Sequence, residues 1–193
     1  MNLEKAKSTD LVSASIEKHQ GATERLRGGG VFKIECLDKD GNLKWAAESK
    51  NLVVNVGLQD MNTQYFKGSS YTAAWYIGLY GAASSNNPAA GDTMSSHAGW
   101  TEITGYSNAN RPTATFGTAT TADPSVIDNS ASPASFSINA TNTIGGAFLT
   151  TSNTKGGTTG TLFSAADFQS PGDRNVASGD TLNVTYTFSL DAI

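Results

Sequence analysis

Residues 181–190 read Thr-Leu-Asn-Val-Thr-Tyr-Thr-Phe-Ser-Leu, with a large apolar side chain at every second position. Successive side chains of a β-strand point to opposite faces of its sheet, so this alternation gives one apolar and one polar face. An antiparallel strand with one face on a core and one face in solvent has this pattern. The segment therefore predicts a half-buried antiparallel strand, whose inner face carries Leu182, Val184, Tyr186, Phe188 and Leu190.

The same period of two returns near the start of the chain. Phe32, Ile34 and Cys36 alternate with polar residues, and Leu43, Trp45 and Ala47 alternate again. Between the two runs, residues 38–42 read Asp-Lys-Asp-Gly-Asn, which are residue types that favour turns. These residues predict a β-hairpin with a longer loop.

The rest of the sequence predicts further short strands separated by Gly, Asn and Ser. They are expected near residues 52–56, 75–80, 100–104, 113–118, 134–140 and 145–151. The spacing of Leu58, Met61, Asn62 and Tyr65 predicts one short helix near residues 57–67. Eight to ten short strands favour an all-β fold, either an antiparallel β-sandwich or a jelly roll.

Charge divides the chain into two regions. Residues 1–50 carry 9 Lys/Arg and 8 Asp/Glu, whereas residues 51–193 carry only 4 and 9. Together with the scarcity of large apolar residues before residue 31, this predicts an extended N-terminal arm at 1–30 and a β-sandwich body at 31–193. Leu11, Val12 and Ile16 can share one face of a short helix, and Gly28 to Gly30 are expected to break regular structure. The arm is either an unstructured terminus or a segment that orders on a neighbouring subunit.

Composition argues against several classes of function. A net charge of −4 and a pI near 5.1 lack the basic footprint of nucleic-acid binding. One cysteine and two histidines are too few for a Cys/His zinc site. No apolar run reaches the roughly 18 residues of a membrane span, and the first residues have no apolar stretch of the kind found in secretory signals.

Catalytic and ligand-binding motifs are also missing. A serine or cysteine nucleophile needs an adjacent base, and the two candidates, His19 and His97, stand in the predicted arm and in a loop. Most of the carboxylates fall in predicted loops without a pairing pattern. Residues 38–49 depart from the calcium-loop pattern at the glycine and the final acid, and residues 156–161 lack the Gly-Lys-Ser/Thr ending of a phosphate-binding loop. The sequence therefore predicts neither an enzyme nor a bound cofactor or metal.

Several segments of the body resemble those of tailed-bacteriophage virion proteins. They are WYIGLY at 75–80, GDTM at 91–94, GWTE at 99–102, SINAT at 137–141, GGAFL at 145–149 and SGDTLNVTY at 178–186, together with Pro88, Tyr106, Arg111 and Pro112. The resemblance covers roughly residues 31–193. Similar β-sandwich proteins include head decoration (cement) proteins and components of tail appendages.

The resemblance implies a virion structural protein, most specifically a cement protein on the capsid surface that is made in the host cytoplasm. Its expected partners are the major capsid protein and copies of itself, with a trimer suiting threefold positions of a shell. Neither nucleic acid nor membrane is an expected partner. The arm would make the contact, with Leu11, Val12 and Ile16 as apolar anchors and with Arg25 and Arg27 pairing with acidic capsid surface.

Two alternatives make different predictions. A tail-fibre or other tail or neck appendage would bind a host glycan through loops 82–99 and 105–133, and it requires an exposed aromatic ring such as Trp100 or Tyr106. A glycan hydrolase requires two carboxylates that face each other across a cleft. The first alternative is opposed by the interpretation of five aromatic residues as core, namely Trp75, Tyr76, Tyr80, Trp100 and Tyr106.

Overall fold

A computed structural model describes residues 25–68, 74–81, 87–168 and 172–192. The elements in chain order are β1 (Leu26–Leu37), β2 (Leu43–Lys50), β3 (Leu52–Val53), α1 (Asn55–Asn62), a π-helical turn (Thr63–Lys67), β4 (Tyr76–Gly81), β5 (Glu102–Ile103), β6 (Ser125–Asp128), β7 (Ala134–Ser137), β8 (Asn142–Thr150), β9 (Leu162–Asp167), β10 (Arg174–Val176) and β11 (Thr181–Ala192). The predicted all-β class and the single short helix are confirmed.

The strands form two antiparallel sheets. The first has the order β2-β1-β11-β6, and β7 also pairs with β11. The second has the order β3-β9-β8-β4-β5, and β10 also pairs with β8. The segment at 181–190 lies in β11, which pairs with β1 along twelve registered positions and also with β6 and β7.

The main core fills the space between the sheets. The predicted inner-face residues Phe32, Ile34 and Cys36 of β1 are fully buried, as are Leu182 and Val184 of β11. From the second sheet they meet a set of buried side chains that includes Ile77, Leu79, Ala147, Leu149 and Phe163. The structure is therefore a β-sandwich, in which the period of two places each apolar set on the facing sides.

The second sheet is covered on its outer face as well. Tyr80 and Phe148 alternate with core residues of β4 and β8, so they point away from the first sheet. They pack there against Trp100 and Met94 of the loop after β4. This second core explains why all seven residues Ile144–Thr150 of β8 are buried.

A buried ion pair fixes the loops at one end of the second sheet. Arg111 is 1% exposed, and its guanidinium donates to both carboxylate oxygens of Glu102 at 2.9 and 2.7 Å. It also donates to the carbonyl oxygens of Ser152 and Gly157. Residues 156–161, which lack a phosphate-loop ending, therefore belong to the β8–β9 connection that this arginine holds.

Strand β1 begins five residues before the predicted start of the body at residue 31. Gly28 to Gly30 do not break regular structure, because β1 begins at Leu26 and runs through them. The reason lies on the neighbouring strand: a Cβ on Gly30 would stand 2.7 Å from the carbonyl oxygen of Thr187 and 2.8 Å from the hydroxyl of Tyr186. Gly30, and less closely Gly28, therefore leave room for β11 rather than ending a strand, whereas a Cβ on Gly29 would meet nothing within 4 Å.

Other local predictions also differ from the structure. Residues 113–118 contribute an isolated bridge at Thr113 instead of a strand, and the strand expected at 52–56 stops at Val53, where α1 takes over. Strands β6, β9 and β10 were not predicted. Short strands such as β10, with three residues, carry too few positions for a period to be recognised.

Candidate functional site

An apolar groove opens at the end of the sandwich where β1 begins and β11 ends. Its volume is about 620 Å³, and its lining is Leu26, Asp60, Met61, Asn62, Gln64, Tyr65, Phe66, Trp75 and Leu190. Six large apolar side chains are exposed among the residues that the structure describes. The three most exposed all line this groove: Tyr65 at 84%, Phe66 at 77% and Leu26 at 70%. Such clustering makes the groove a candidate contact surface, since single exposed apolar residues are ordinary and contiguous ones are not.

The helix α1 and the π-helical turn build one wall of the groove. Gly57 lets α1 approach β9 closely, because a Cβ there would lie 2.4 Å from the carbonyl oxygen of Phe163. The chain then continues into the turn that carries Tyr65 and Phe66, whose rings meet edge to face with centroids 5.0 Å apart. Both rings project beyond the body, where nothing described covers them.

The floor of the groove is continuous with the main core. Trp75 packs edge to face on Phe163 with centroids 5.3 Å apart, and Phe163 packs in the same way on Phe188 at 5.5 Å. Met61 and Trp75 are only partly buried and contact the core cluster. The groove is therefore a place where the sandwich interior reaches the surface, rather than a separate cavity.

One charged residue, Asp60, lines the groove among the described residues. Its Oδ1 accepts a hydrogen bond from Nε2 of Gln64, one helical turn later, at 3.2 Å. Both polar side chains stand on the helix wall, opposite the strand residues Leu26 and Leu190. The surface thus favours an apolar contact with a polar margin.

The predicted contact residues of the arm are only partly described. Leu11, Val12 and Ile16 lie outside the described residues. Arg25 is exposed directly before β1, whereas Arg27 lies within β1, exposed and opposite Asp191 in the register. Arg27 therefore belongs to the sheet, and its predicted contact with a partner stays a prediction.

The loop aromatics that a glycan site would need are buried. Trp100 is 3% exposed and Tyr106 is 1% exposed. Trp100 donates from its indole to Asp92 at 2.9 Å, and His97 stacks on its ring with centroids 3.9 Å apart. The interpretation of both rings as core, and of His97 as a loop histidine packed by Trp100, is confirmed.

A second, more polar groove of about 370 Å³ lies between β2 and β9, and Glu48 and Asp167 are among its lining residues. Burial, followed by the charge of Asp173, raises the pKa of the Asp167 carboxyl, although a hydrogen bond from the Tyr80 hydroxyl opposes the shift. Tyr80 also donates to the carbonyl oxygen of Ala166 at 2.9 Å. These contacts support the end of β9.

The single cysteine is part of the core. Burial is the main cause that raises the pKa of the Cys36 thiol to about 11, and the charge of Asp180 adds to it. Asp180 receives hydrogen bonds from Lys44 Nζ at 2.6 Å and from the backbone N–H of Ala177 at 2.8 Å. A thiol held protonated and away from solvent is a poor nucleophile, so this group joins β1, β2 and β11 structurally.

Within the described ranges, no group of three or more His, Cys, Asp or Glu side chains is arranged to hold a metal ion. No helix among the same residues is long and apolar enough to cross a membrane. No protein-family model, no curated protein and no solved structure matches the chain.

The groove was not predicted from the sequence. Local patterns placed Tyr65 in a helix, Trp75 in a buried strand, Leu190 on an inner face and Leu26 in the arm. One signal was present: Tyr65 and Phe66 are adjacent, and neighbouring residues of a helix point about 100° apart. Two large rings in succession at the end of a short helix therefore need a buried face at least 100° wide if both are to be covered.

Proposed function

We propose that the chain is a non-enzymatic structural protein of a tailed-bacteriophage virion, acting as a capsid decoration (cement) protein. In this role it binds the major capsid protein on the outer surface of the head and bridges neighbouring subunits. The resemblance of residues 31–193 to virion proteins motivates the proposal. The way in which the N-terminal segment joins the body carries it.

That segment joins the body through a central strand. Residues before Leu26 continue directly into β1, which lies between β2 and β11. The β1–β11 ladder has twelve registered pairs, and seven further pairs join β1 to β2. A pull along the arm therefore acts on the β1–β11 ladder alone from Leu26 to Gly30, and on two ladders of backbone hydrogen bonds from Val31 onward. This is the attachment that a tether between a body and a strained shell requires.

A cement protein would stabilise the shell because its binding is linked to the state of the shell. A protein that contacts only the expanded shell stabilises that state by mass action. Two weak contacts on one chain, the arm and the apolar groove, give avidity because the second contact forms at a high effective concentration. In the proposed complex, Leu11, Val12 and Ile16 of the arm are the apolar anchors, and Arg25 adds charge at its base.

Copy number per purified particle tests the proposal most directly. Quantitative mass spectrometry should find hundreds of copies, scaled to the major capsid protein. A handful would instead assign the protein to the tail or neck. Its absence from particles would refute a virion role altogether.

The corrected strand boundary determines which truncation tests the arm. Removing residues 1–30 would delete five of the twelve β1–β11 pairs, Leu26 to Gly30, and would confuse lost binding with lost stability. Removing residues 1–24 leaves β1 whole. This shorter deletion should keep the thermal unfolding midpoint of the full chain and lose capsid binding, and capsid binding that survives it would contradict the role of the arm.

A tail appendage that binds a host glycan is the second candidate. The exposed rings of Tyr65 and Phe66 favour it, since sugars stack on exposed aromatic faces. The two rings meet at 84° to each other and do not form one flat platform. Loss of adsorption to host cells in Tyr65→Ser particles that keep full head stability would favour this candidate over cement.

A further inference from the structure

The apolar groove stands where the N-terminal segment begins. Leu26 is both the first residue of β1 and part of the groove lining. Twenty-four residues precede the described part of the chain. Whatever conformation they adopt, they start at the rim of the most exposed apolar surface described.

We propose that the groove is the docking site of the chain's own N-terminal segment, residues 9–16, with Leu11, Val12 and Ile16 facing Tyr65, Phe66 and Leu26. The inference concerns the isolated chain and holds whether or not the protein belongs to a virion. It gives the apolar face of that segment a partner that needs no second molecule.

The pattern of residues 9–16 matches an apolar groove. At 100° per residue, Leu11, Val12 and Ile16 fall within an arc of about 140° on a helix, and Ser15 lies inside the same arc. Ser13 points away from that arc. Thr9 and Asp10 are residue types that begin helices. One apolar face with a polar back is the form in which a short helix binds a hydrophobic groove.

The connecting residues are long enough to return the segment to the groove. Residues 17–25 give nine residues between Ile16 and Leu26, with Gly21 among them. A random coil of nine residues has a root-mean-square span of about 15–18 Å. Because the groove begins at Leu26 itself, the segment needs only to fold back. An intrachain partner at such a distance has an effective concentration in the millimolar range.

That concentration decides between the chain's own segment and a second copy. A neighbouring molecule at micromolar concentration competes with an intrachain contact that is about a thousandfold more concentrated. Exchange onto a neighbour is favoured only where copies are held close together. In the free chain, the structure assigns the groove to its own segment.

Cysteine trapping in the full chain tests this assignment, with oxidised glutathione as the oxidant that accepts the two electrons. The test pair is Ser15→Cys with Asn62→Cys, and the matched control is Ser13→Cys with Asn62→Cys. Asn62 lines the groove and is exposed, so its replacement leaves the apolar lining intact. The native Cys36 is fully buried and does not compete.

The Ser15 pair should form an intrachain disulfide about tenfold faster than the Ser13 pair, at a rate independent of protein concentration. Phe66→Ser in the same background should bring the two rates together, and because Phe66 is 77% exposed this change leaves the body folded. Equal rates in the parent background would overturn the proposal. Disulfides between chains that increase with protein concentration would also overturn it, and would assign the groove to a second copy.

Discussion

Replacing Arg111 by Met should destabilise the body severely, although no proposed contact surface includes this residue. The guanidinium is nearly inaccessible and makes four hydrogen bonds, two to Glu102 and one each to the carbonyl oxygens of Ser152 and Gly157. Its Cζ also lies 5.2 Å from the centroid of the Phe148 ring. Methionine keeps an unbranched stem of similar volume, so the change removes mainly the charge and the donors.

The expected loss in the free energy of unfolding follows from the groups that lose Arg111 as their partner. Glu102 would keep a buried carboxylate without its partner, and two carbonyl oxygens would lose their donors. Breaking a buried ion pair from one side costs about 3–5 kcal/mol. For a chain of this length, that corresponds to a fall in the unfolding midpoint of roughly 6–20 °C.

Urea unfolding, monitored by far-ultraviolet circular dichroism, measures the change in the free energy of unfolding. The matched control is Lys33→Met, because Lys33 and Glu35 form an ion pair of 2.9 Å between side chains that are 56% and 43% exposed. The control should shift the midpoint little, since solvent screens an exposed pair. Adding Glu102→Leu to Arg111→Met should recover part of the loss by removing the unpaired charge. Equal midpoints for Arg111→Met and Lys33→Met would refute the reasoning.

Three further outcomes are expected from the core. Tyr106→Phe should leave the free energy of unfolding unchanged or raise it, because the buried Tyr106 hydroxyl has no hydrogen-bond partner among the described residues. Tyr186→Phe should lower it by about 1–2 kcal/mol, since Asn51 donates to the Tyr186 hydroxyl at 2.8 Å. Urea unfolding of both variants measures the difference, and an equal loss in both would contradict these hydrogen-bond assignments. Val184→Asp should abolish the cooperative melt, because it buries a charge on the inner face of β11; an unchanged circular-dichroism melt would count against that strand face. Burial alone would raise the pKa of Asp180, but hydrogen bonds, first from Lys44, hold that pKa below its usual value. The stability that this carboxylate contributes is present above the unfolded pKa of about 3.9 and is lost as pH falls through the folded pKa. Asp180→Asn should therefore make the free energy of unfolding depend less on pH in that range, and an unaltered pH profile would refute the linkage.

The alternation in β1 and β11 predicted half-buried antiparallel strands, and the number of short strands then predicted an all-β sandwich or jelly roll. Phe32, Ile34 and Val184 had to share buried faces because a strand has a period of two and one face must avoid water. The short helix followed in the same way from a period near 3.6. These predictions succeeded because they depend on neighbours in the chain.

A run of glycines can either end a strand or allow a neighbouring strand to approach closely, and the sequence could not distinguish these two roles. Gly28 to Gly30 have the composition of a breaker, and they form part of a central strand. The difference comes from Tyr186 and Phe188, which approach the backbone of β1 from a strand some 160 residues away in the chain. A close approach of this kind exists only after the sheet has formed.

The sequence by itself determined that this chain has an all-β body and that its N-terminal segment differs from the body in composition, being rich in charge and poor in large apolar residues. Tertiary structure alone decided that β1 begins at Leu26 and which apolar surface the described residues leave exposed. Leu26, Tyr65, Phe66 and Leu190 come from three distant segments and meet only when the first and last long strands pair beneath the helix. Local periodicity assigns each of them a face, but only packing decides which of these faces the described residues leave exposed.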